Sequence, residues 1–165
     1  MDRSRRGLAR LPHLVRRFFR SLRARRPDAA TQLWVATLLT RHQASVFWEQ
    51  PVADQVHAVR VARAVEEAAP QRADLMCAAL LHDIGKRHAR LGTMGRSAAT
   101  VRGWFGLVGN GRVRAYLDHP ARGADELRAL GAGAVVVAFA EHHHDERPAQ
   151  IDPDDWRLLI ECDDE

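Results

Sequence analysis

The residues best suited to chemistry in this chain are a histidine and an aspartate on adjacent positions. His82 and Asp83 close an apolar run, Leu75 to Leu81. Imidazole and carboxylate groups both bind transition metals, and an apolar helix rarely ends on two such groups unless something binds them. Lys86 follows Gly85, which we expect to free the backbone to turn. The ammonium group of Lys86 can then fold back towards the pair.

Other potential ligands are spread along the chain, and each has a structural alternative. His57 lies one turn after Asp54, which either orients the imidazole or only begins the helix. His119 precedes a proline, at a point where a helix begins, and is either a ligand or a surface cap. The remaining candidates are a histidine tract that follows an apolar segment and two acidic residues near the end of the sequence: His142, His143, His144, Asp163 and Asp164.

The elements that must position these residues are predicted to be helices. Apolar residues recur at three- and four-residue steps, and Asp28 and Thr40 precede two of the predicted helices as caps. In the helix that carries His57, the predicted buried side is Val56, Val59, Val61, Ala62 and Val65. We therefore expect an all-α domain over residues 28–165, with helices near 29–39, 41–48, 52–69, 72–83, 91–108, 119–131, 132–140 and 154–164, and a short helix or turn at 113–118.

The charge of the chain is divided between a basic arm and an acidic body. Residues 1–27 contain ten arginines and one aspartate, whereas the remaining residues contain 15 basic and 20 acidic side chains. Leucine, valine and phenylalanine recur between the arginines, which predicts a basic amphipathic helix. This helix either docks on its own domain or lies on an anionic membrane surface, and nucleic acid is a less favoured partner.

Composition excludes several classes of protein. Two cysteines, Cys77 and Cys162, do not make a disulfide framework. The longest uncharged runs, 29–40 and 129–140, contain 12 residues each, against roughly 20 needed to span a bilayer. The N-terminal residues lack the apolar core of a secretion signal. We expect a cytoplasmic protein, with membrane association only through residues 1–27.

The ordered series of ligands, H…HD…H…HH…D, resembles the HD superfamily of metal-dependent phosphohydrolases. The resemblance covers about residues 52–164, and it implies an HD-type helical bundle. It implies a first metal site formed by His57, His82, Asp83 and Asp163, with Asp164 as the alternative last ligand. It also implies that Asp83 bridges to a second metal held by His119, His142 and, after it, His143. His144 is expected to be exposed.

The resemblance further implies hydrolysis of a phosphoester or phosphoanhydride, with a nucleotide as the expected substrate. Nitrogen and carboxylate ligands favour one or two ions of Fe, Mn, Co, Ni or Zn over Ca or Mg. Asp83 and Lys86 would be the catalytic residues, with Lys86, Arg60 and Arg122 at the phosphate. The spacing is similar to that of symmetrical dinucleoside tetraphosphate hydrolases and cyclic dinucleotide phosphodiesterases. The latter carry Gly-Tyr-Pro where this chain has residues 145–148, Asp-Glu-Arg-Pro.

Two other functions remain compatible with the sequence. One is a metal-binding domain without turnover, which would act as a regulatory or scaffold module. The other is a membrane-peripheral adaptor in which the basic arm carries the function. Activity towards phosphoesters separates the first from an enzyme, and deletion of the arm separates the second.

Overall fold

The computed structural model describes residues 24–89, 111 and 118–164, and these residues contain helices and no β-strand. This agrees with the all-α fold predicted from the sequence. In chain order the helices are α1 (Ala29–Leu38), α2 (Arg41–Trp48), α3 (Val52–Ala68), α4 (Ala73–Leu81), a 3₁₀ helix (Ile84–Ala89), α5 (His119–Ala129), α6 (Ala134–His142) and α7 (Pro153–Asp164).

The predicted caps of the first two helices are confirmed. Asp28 accepts a hydrogen bond from the backbone N–H of Thr31 at 2.9 Å, which begins α1. Thr40 and Gln43 form a reciprocal capping box at the start of α2, each side chain bonding to the backbone of the other residue. These bonds satisfy N–H groups that have no partner within the helix.

The core lies between α3, α4 and α6. Helix α4 packs against α3 on one side and α6 on the other, while α5 packs on α6 and α7 packs on α3 and α4. Helix α4 is apolar almost all round because it is enclosed by these neighbours, and Leu75, Leu80 and Leu81 are fully buried. Phe47 and Phe139 are the largest fully buried side chains of this core. The prediction that Val56 faces inward is wrong, since this residue is 36% exposed.

Gly85 does not have the positive φ that a glycine at a helix end commonly adopts. Among the described residues only Gly111 and Gly131 have positive φ. A Cβ atom on Gly85 would lie 2.0 Å from the carbonyl oxygen of His119 and 2.9 Å from the backbone nitrogen of Gly123. Glycine is therefore required because the first turn of α5 packs directly on the backbone of the 3₁₀ helix. This close packing brings His119 towards Asp83.

Several predictions fall outside the described residues. These are most of the basic arm, the predicted helix at 91–108, and residues 113–117. In the part of the chain that the structure describes, no helix is both long and apolar enough to cross a membrane.

Candidate metal centre

Asp83 lies at the centre of a cluster of histidine and carboxylate side chains. It follows the end of α4, where His82 is the C-terminal cap, and only 1% of its side chain is exposed. Its Oδ2 atom is 3.3 Å from His82 Nε2. Its Oδ1 atom is 3.4 Å from His119 Nε2 and 3.3 Å from His143 Nε2. The two carboxylate oxygens therefore face two different sets of imidazoles.

The first set combines His57 and His82 with the last turn of α7. Asp163 Oδ1 is 2.9 Å from His57 Nε2 and 3.5 Å from His82 Nε2. One ligand atom from each of His57, His82 and Asp83 lies within 4.8 Å of the others. The structure thus brings together all four residues that the sequence assigns to the first site, and it places Asp163 there, whereas Asp164 is exposed.

The second set lies where α5 begins and α6 ends. Ligand atoms of Asp83, His119, His143 and His144 all lie within 4.8 Å of one another. His119 is the first residue of α5 and is 4% exposed, whereas His143 is the C-terminal cap of α6 and is 6% exposed. The His143 ring contacts the His144 ring in a tilted arrangement, with centroids 3.9 Å apart. This set offers three imidazoles and one carboxylate.

Backbone hydrogen bonds orient two of the imidazoles. The Nδ1 atoms of His82 and His143 lie 2.8 Å and 3.1 Å from the carbonyl oxygens of Ala79 and Ala140. Because a carbonyl oxygen only accepts, each Nδ1 carries the proton, and in a neutral ring the lone pair is on Nε2. Both Nε2 atoms then face carboxylate oxygens, an arrangement that requires a proton or a metal ion between them. Metal-binding histidines are commonly oriented in this way.

Lys86 is the cation nearest to Asp83. Its ammonium group contacts Asp83 Oδ2, and the residue is only 3% exposed. The backbone N–H of Lys86 also donates to the carbonyl oxygen of Asp83 at 3.0 Å. The prediction that Lys86 folds back onto the His-Asp pair is therefore confirmed.

The charges of the cluster shift several pKa values. Burial opposes ionisation of Asp83, but Lys86 and His82 hold its pKa well below the ordinary value. Burial also disfavours the charged form of His82, yet Asp83 and Asp163 raise its pKa. Burial lowers the pKa of His119 to about 4. At neutral pH the cluster therefore offers ionised carboxylates beside a neutral His119, which are the forms that bind metal ions.

The match to known families agrees with this geometry. The family model for the HD domain matches residues 55–163, about two thirds of the 165 residues. The chain belongs to the HD domain family. HD domains form a superfamily of metal-dependent phosphohydrolases and bind divalent metals, and the cluster around Asp83 is compatible with such binding. No curated protein matches the chain. No solved structure matches it either.

Helix α6 places the histidine tract of this HD domain differently from the sequence-based expectation. His142 was expected to be the first ligand of the tract, but it lies outside both sets and 4.0 Å from Glu141, with 37% of its side chain exposed. The helix continues through His142 and ends there, so the next two residues turn towards Asp83. His144, expected to be exposed, belongs to the second set although the residue as a whole is exposed.

The two arginines predicted to contact phosphate lie in different settings. Arg122 is exposed and lies one turn after His119 on α5. Arg60 instead donates to the backbone carbonyl oxygens of Cys162 and Asp163, at 3.3 Å and 3.4 Å. The sequence gives no signal for this contact, because residues 60 and 163 are far apart along the chain.

Proposed function

We propose that this HD domain is a metal-dependent phosphohydrolase that acts on a nucleotide or another phosphoester. The observation that carries the proposal is the shared position of Asp83. One of its oxygens faces His82, and the other faces His119 and His143. A carboxylate placed in this way can bridge two cations, which is the arrangement found in enzymes that hydrolyse phosphoesters with two metal ions.

The donor chemistry fits one or two transition-metal ions. Imidazole nitrogens dominate the cluster, and this favours Fe, Mn, Co, Ni or Zn over Mg or Ca, which prefer oxygen ligands. His57, His82, Asp83 and Asp163 would hold the first ion, and Asp83, His119, His143 and His144 the second. When bound, such ions activate water for attack and neutralise the charge of a phosphoryl group.

Lys86 and Arg122 supply the remaining positive charge in this proposal. The ammonium group of Lys86 fixes the orientation of the Asp83 carboxylate through Oδ2 and keeps it ionised. Its charge also adds to the attraction for a phosphoryl group. Arg122, which is exposed one turn after His119, would contact a more distant phosphate of the substrate.

Among the candidate substrates, we favour linear dinucleoside polyphosphates or simple phosphoesters over cyclic dinucleotides. The segment that follows the histidine tract is Asp145, Glu146, Arg147 and Pro148, in place of the Gly-Tyr-Pro of cyclic dinucleotide phosphodiesterases. The first three of these residues are exposed. The guanidinium group of Arg147 donates to the carbonyl oxygen of Ile151 at 2.6 Å, which commits it to its own loop.

The test compares the metal content and the phosphoesterase activity of purified full-length variants. His143→Gln and Asp83→Asn each remove one ligand at nearly constant size, and His42→Ala changes an exposed histidine on α2 as a control. We expect wild-type and His42→Ala protein to retain metal and to hydrolyse members of a panel of nucleotides and phosphoesters. Both ligand variants should lose metal and activity together.

Two results would contradict the proposal in different ways. Wild-type protein that binds none of the five metals would show that the cluster is not a metal centre. Metal-loaded wild-type protein that is inert towards the whole panel would identify a silent metal-binding domain. In that case His143→Gln would still lose metal, but wild type and variant would both lack activity.

A further inference from the structure

Arg60 joins two of the helices that supply the first set of ligands. It lies on α3, three residues after His57, and its guanidinium group reaches the end of α7. There it donates to the carbonyl oxygens of Cys162 and Asp163. It also lies 3.4 Å from Nδ1 of His57. One side chain therefore contacts the residue before Asp163, Asp163 itself and His57.

The end of α7 is a part of the fold that needs such a contact. Asp163 lies in the last turn of this helix, which ends at Asp164. The last four carbonyl groups of an α-helix have no partner within the helix, and the final turn frays easily. A cation at this end also interacts favourably with the helix dipole. Arg60 provides both the missing donors and the charge.

The contact with His57 shows on which side of the ring Arg60 lies. The guanidinium group faces Nδ1, whereas Nε2 of the same ring faces Asp163 Oδ1 at 2.9 Å. These two nitrogens lie on different edges of the imidazole. Arg60 is thus behind His57 with respect to the cluster, and its donors are directed to the backbone of α7.

We propose that Arg60 is a positioning residue that holds Asp163 in the first set of ligands, and that it does not contact the phosphate of a substrate. The inference rests on the proposed function only in treating Asp163 as a metal ligand. The structural part, in which Arg60 holds the last turn of α7, stands independently. A lysine in its place has one amine and cannot reproduce the planar fork that spans two carbonyl groups.

The test measures Mn²⁺ binding and amide hydrogen exchange in Arg60→Ala, Arg60→Lys and Arg63→Ala. Arg63 is the matched control, because it lies one turn later on α3 and its guanidinium group pairs with Glu66 and lies over Trp34. We expect Arg60→Ala to weaken Mn²⁺ binding by about tenfold, the lower end of the effect of residues that support metal ligands. Exchange should accelerate in the last turn of α7. Arg60→Lys should be intermediate, and the control should match wild type.

The same substitution in an Asp163→Asn background tests whether Arg60 acts through Asp163. If it does, Arg60→Ala should weaken Mn²⁺ binding much less in that background than in wild type, because coupled residues are not additive. Equal weakening in both backgrounds would overturn the inference. So would unchanged Mn²⁺ affinity and exchange with only a raised KM for a phosphoester, which would indicate a substrate contact. If wild-type protein does not bind Mn²⁺, the same variants are compared with whichever of Fe, Co, Ni and Zn it binds. If it binds none of the five metals, the proposed function fails, and the exchange data alone decide the role of Arg60.

Discussion

Gly85→Ala is the sharpest test of how the second set of ligands is positioned. The added Cβ would lie 2.0 Å from the carbonyl oxygen of His119, and contacts of real Cβ atoms under 3.0 Å are essentially never seen. The 3₁₀ helix and α5 must therefore separate by about 1 Å. The opposing atoms belong to the backbone and cannot rotate away. Overpacking of this kind typically costs about 1–3 kcal/mol of folding free energy.

The same displacement is large on the scale of a metal centre. Nε2 of His119 is 3.4 Å from Asp83 Oδ1, and functional constellations tolerate errors of about 0.5 Å. A retreat of α5 therefore removes His119 from the second set even when the domain folds. For a chain of this size, 1 kcal/mol corresponds to roughly 2–4 °C in Tm. We expect Gly85→Ala to lower Tm by about 2–12 °C and to lose the metal ion proposed for the second set.

The opposing glycine provides a matched control for this experiment. A Cβ atom on Gly123 would lie 3.2 Å from the backbone nitrogen of Gly85, so the contact has to relax by only a few tenths of an ångström. Alanine also favours a helix interior over glycine by about 1 kcal/mol. Gly123→Ala should therefore retain both the Tm and the metal content of wild type within a few degrees and a fraction of an ion. A Gly85→Ala protein with wild-type Tm and metal content, measured by thermal unfolding and elemental analysis, would refute the argument.

Three further outcomes follow from the described contacts and from the sequence. His143→Ala should reduce metal content while His142→Ala leaves it unchanged, measured by elemental analysis, because His143 faces Asp83 and His142 does not; equal losses in the two variants would contradict this assignment. Arg72 binds Asp74 and lowers its pKa below 3.8. The stability from this pair is therefore present above about pH 4 and is lost as the pH falls below it. The unfolding free energies of Arg72→Ala and wild type, measured at a series of pH values, should therefore differ at neutral pH and converge at low pH. Deletion of residues 1–27 should abolish salt-sensitive sedimentation with anionic vesicles if the arm binds membranes; no vesicle binding by the intact chain would favour docking on the domain.

Local signals in the sequence predict the helices well where a cap or a proline marks the boundary. Asp28 and Thr40 cap the first two helices as expected, because a side-chain oxygen near unpaired N–H groups acts within three residues. The exposure of Val56 was not predictable in the same way. Apolar periodicity gives the direction of a helical face but not the width of the neighbouring helix that covers it, and α3 is covered over only part of its circumference.

The residues of the cluster were easier to predict from the sequence than their placement. Adjacent helical residues point about 100° apart, so an error of one or two residues in the end of α6 exchanges His142 for His144. The roles of Gly85 and Arg60 were beyond sequence reasoning for another reason. Both depend on contacts between segments far apart along the chain, Gly85 with α5 and Arg60 with α7, and neither contact leaves a periodic or local pattern.

The position of the candidate ligands at helix ends has a consequence for stability. His82, His119, His143 and Asp163 lie at or beside the ends of four different helices, α4 to α7. Metal ions bound in the two sets would add a connection between segments that are otherwise joined by packing and by ion pairs such as that of Arg128 with Glu141. Binding to the folded state alone stabilises a protein by about 2.7 kcal/mol when the free metal is at 100 times its Kd. This gain should appear mainly as slower opening of the four helix ends, because the apolar interior of α4 and α6 is already buried without it. Substitutions that shift a helix end, such as Gly85→Ala, should therefore reduce the gain in folding free energy from added metal. This reduction should be larger than for substitutions that remove an equal amount of apolar contact from the core.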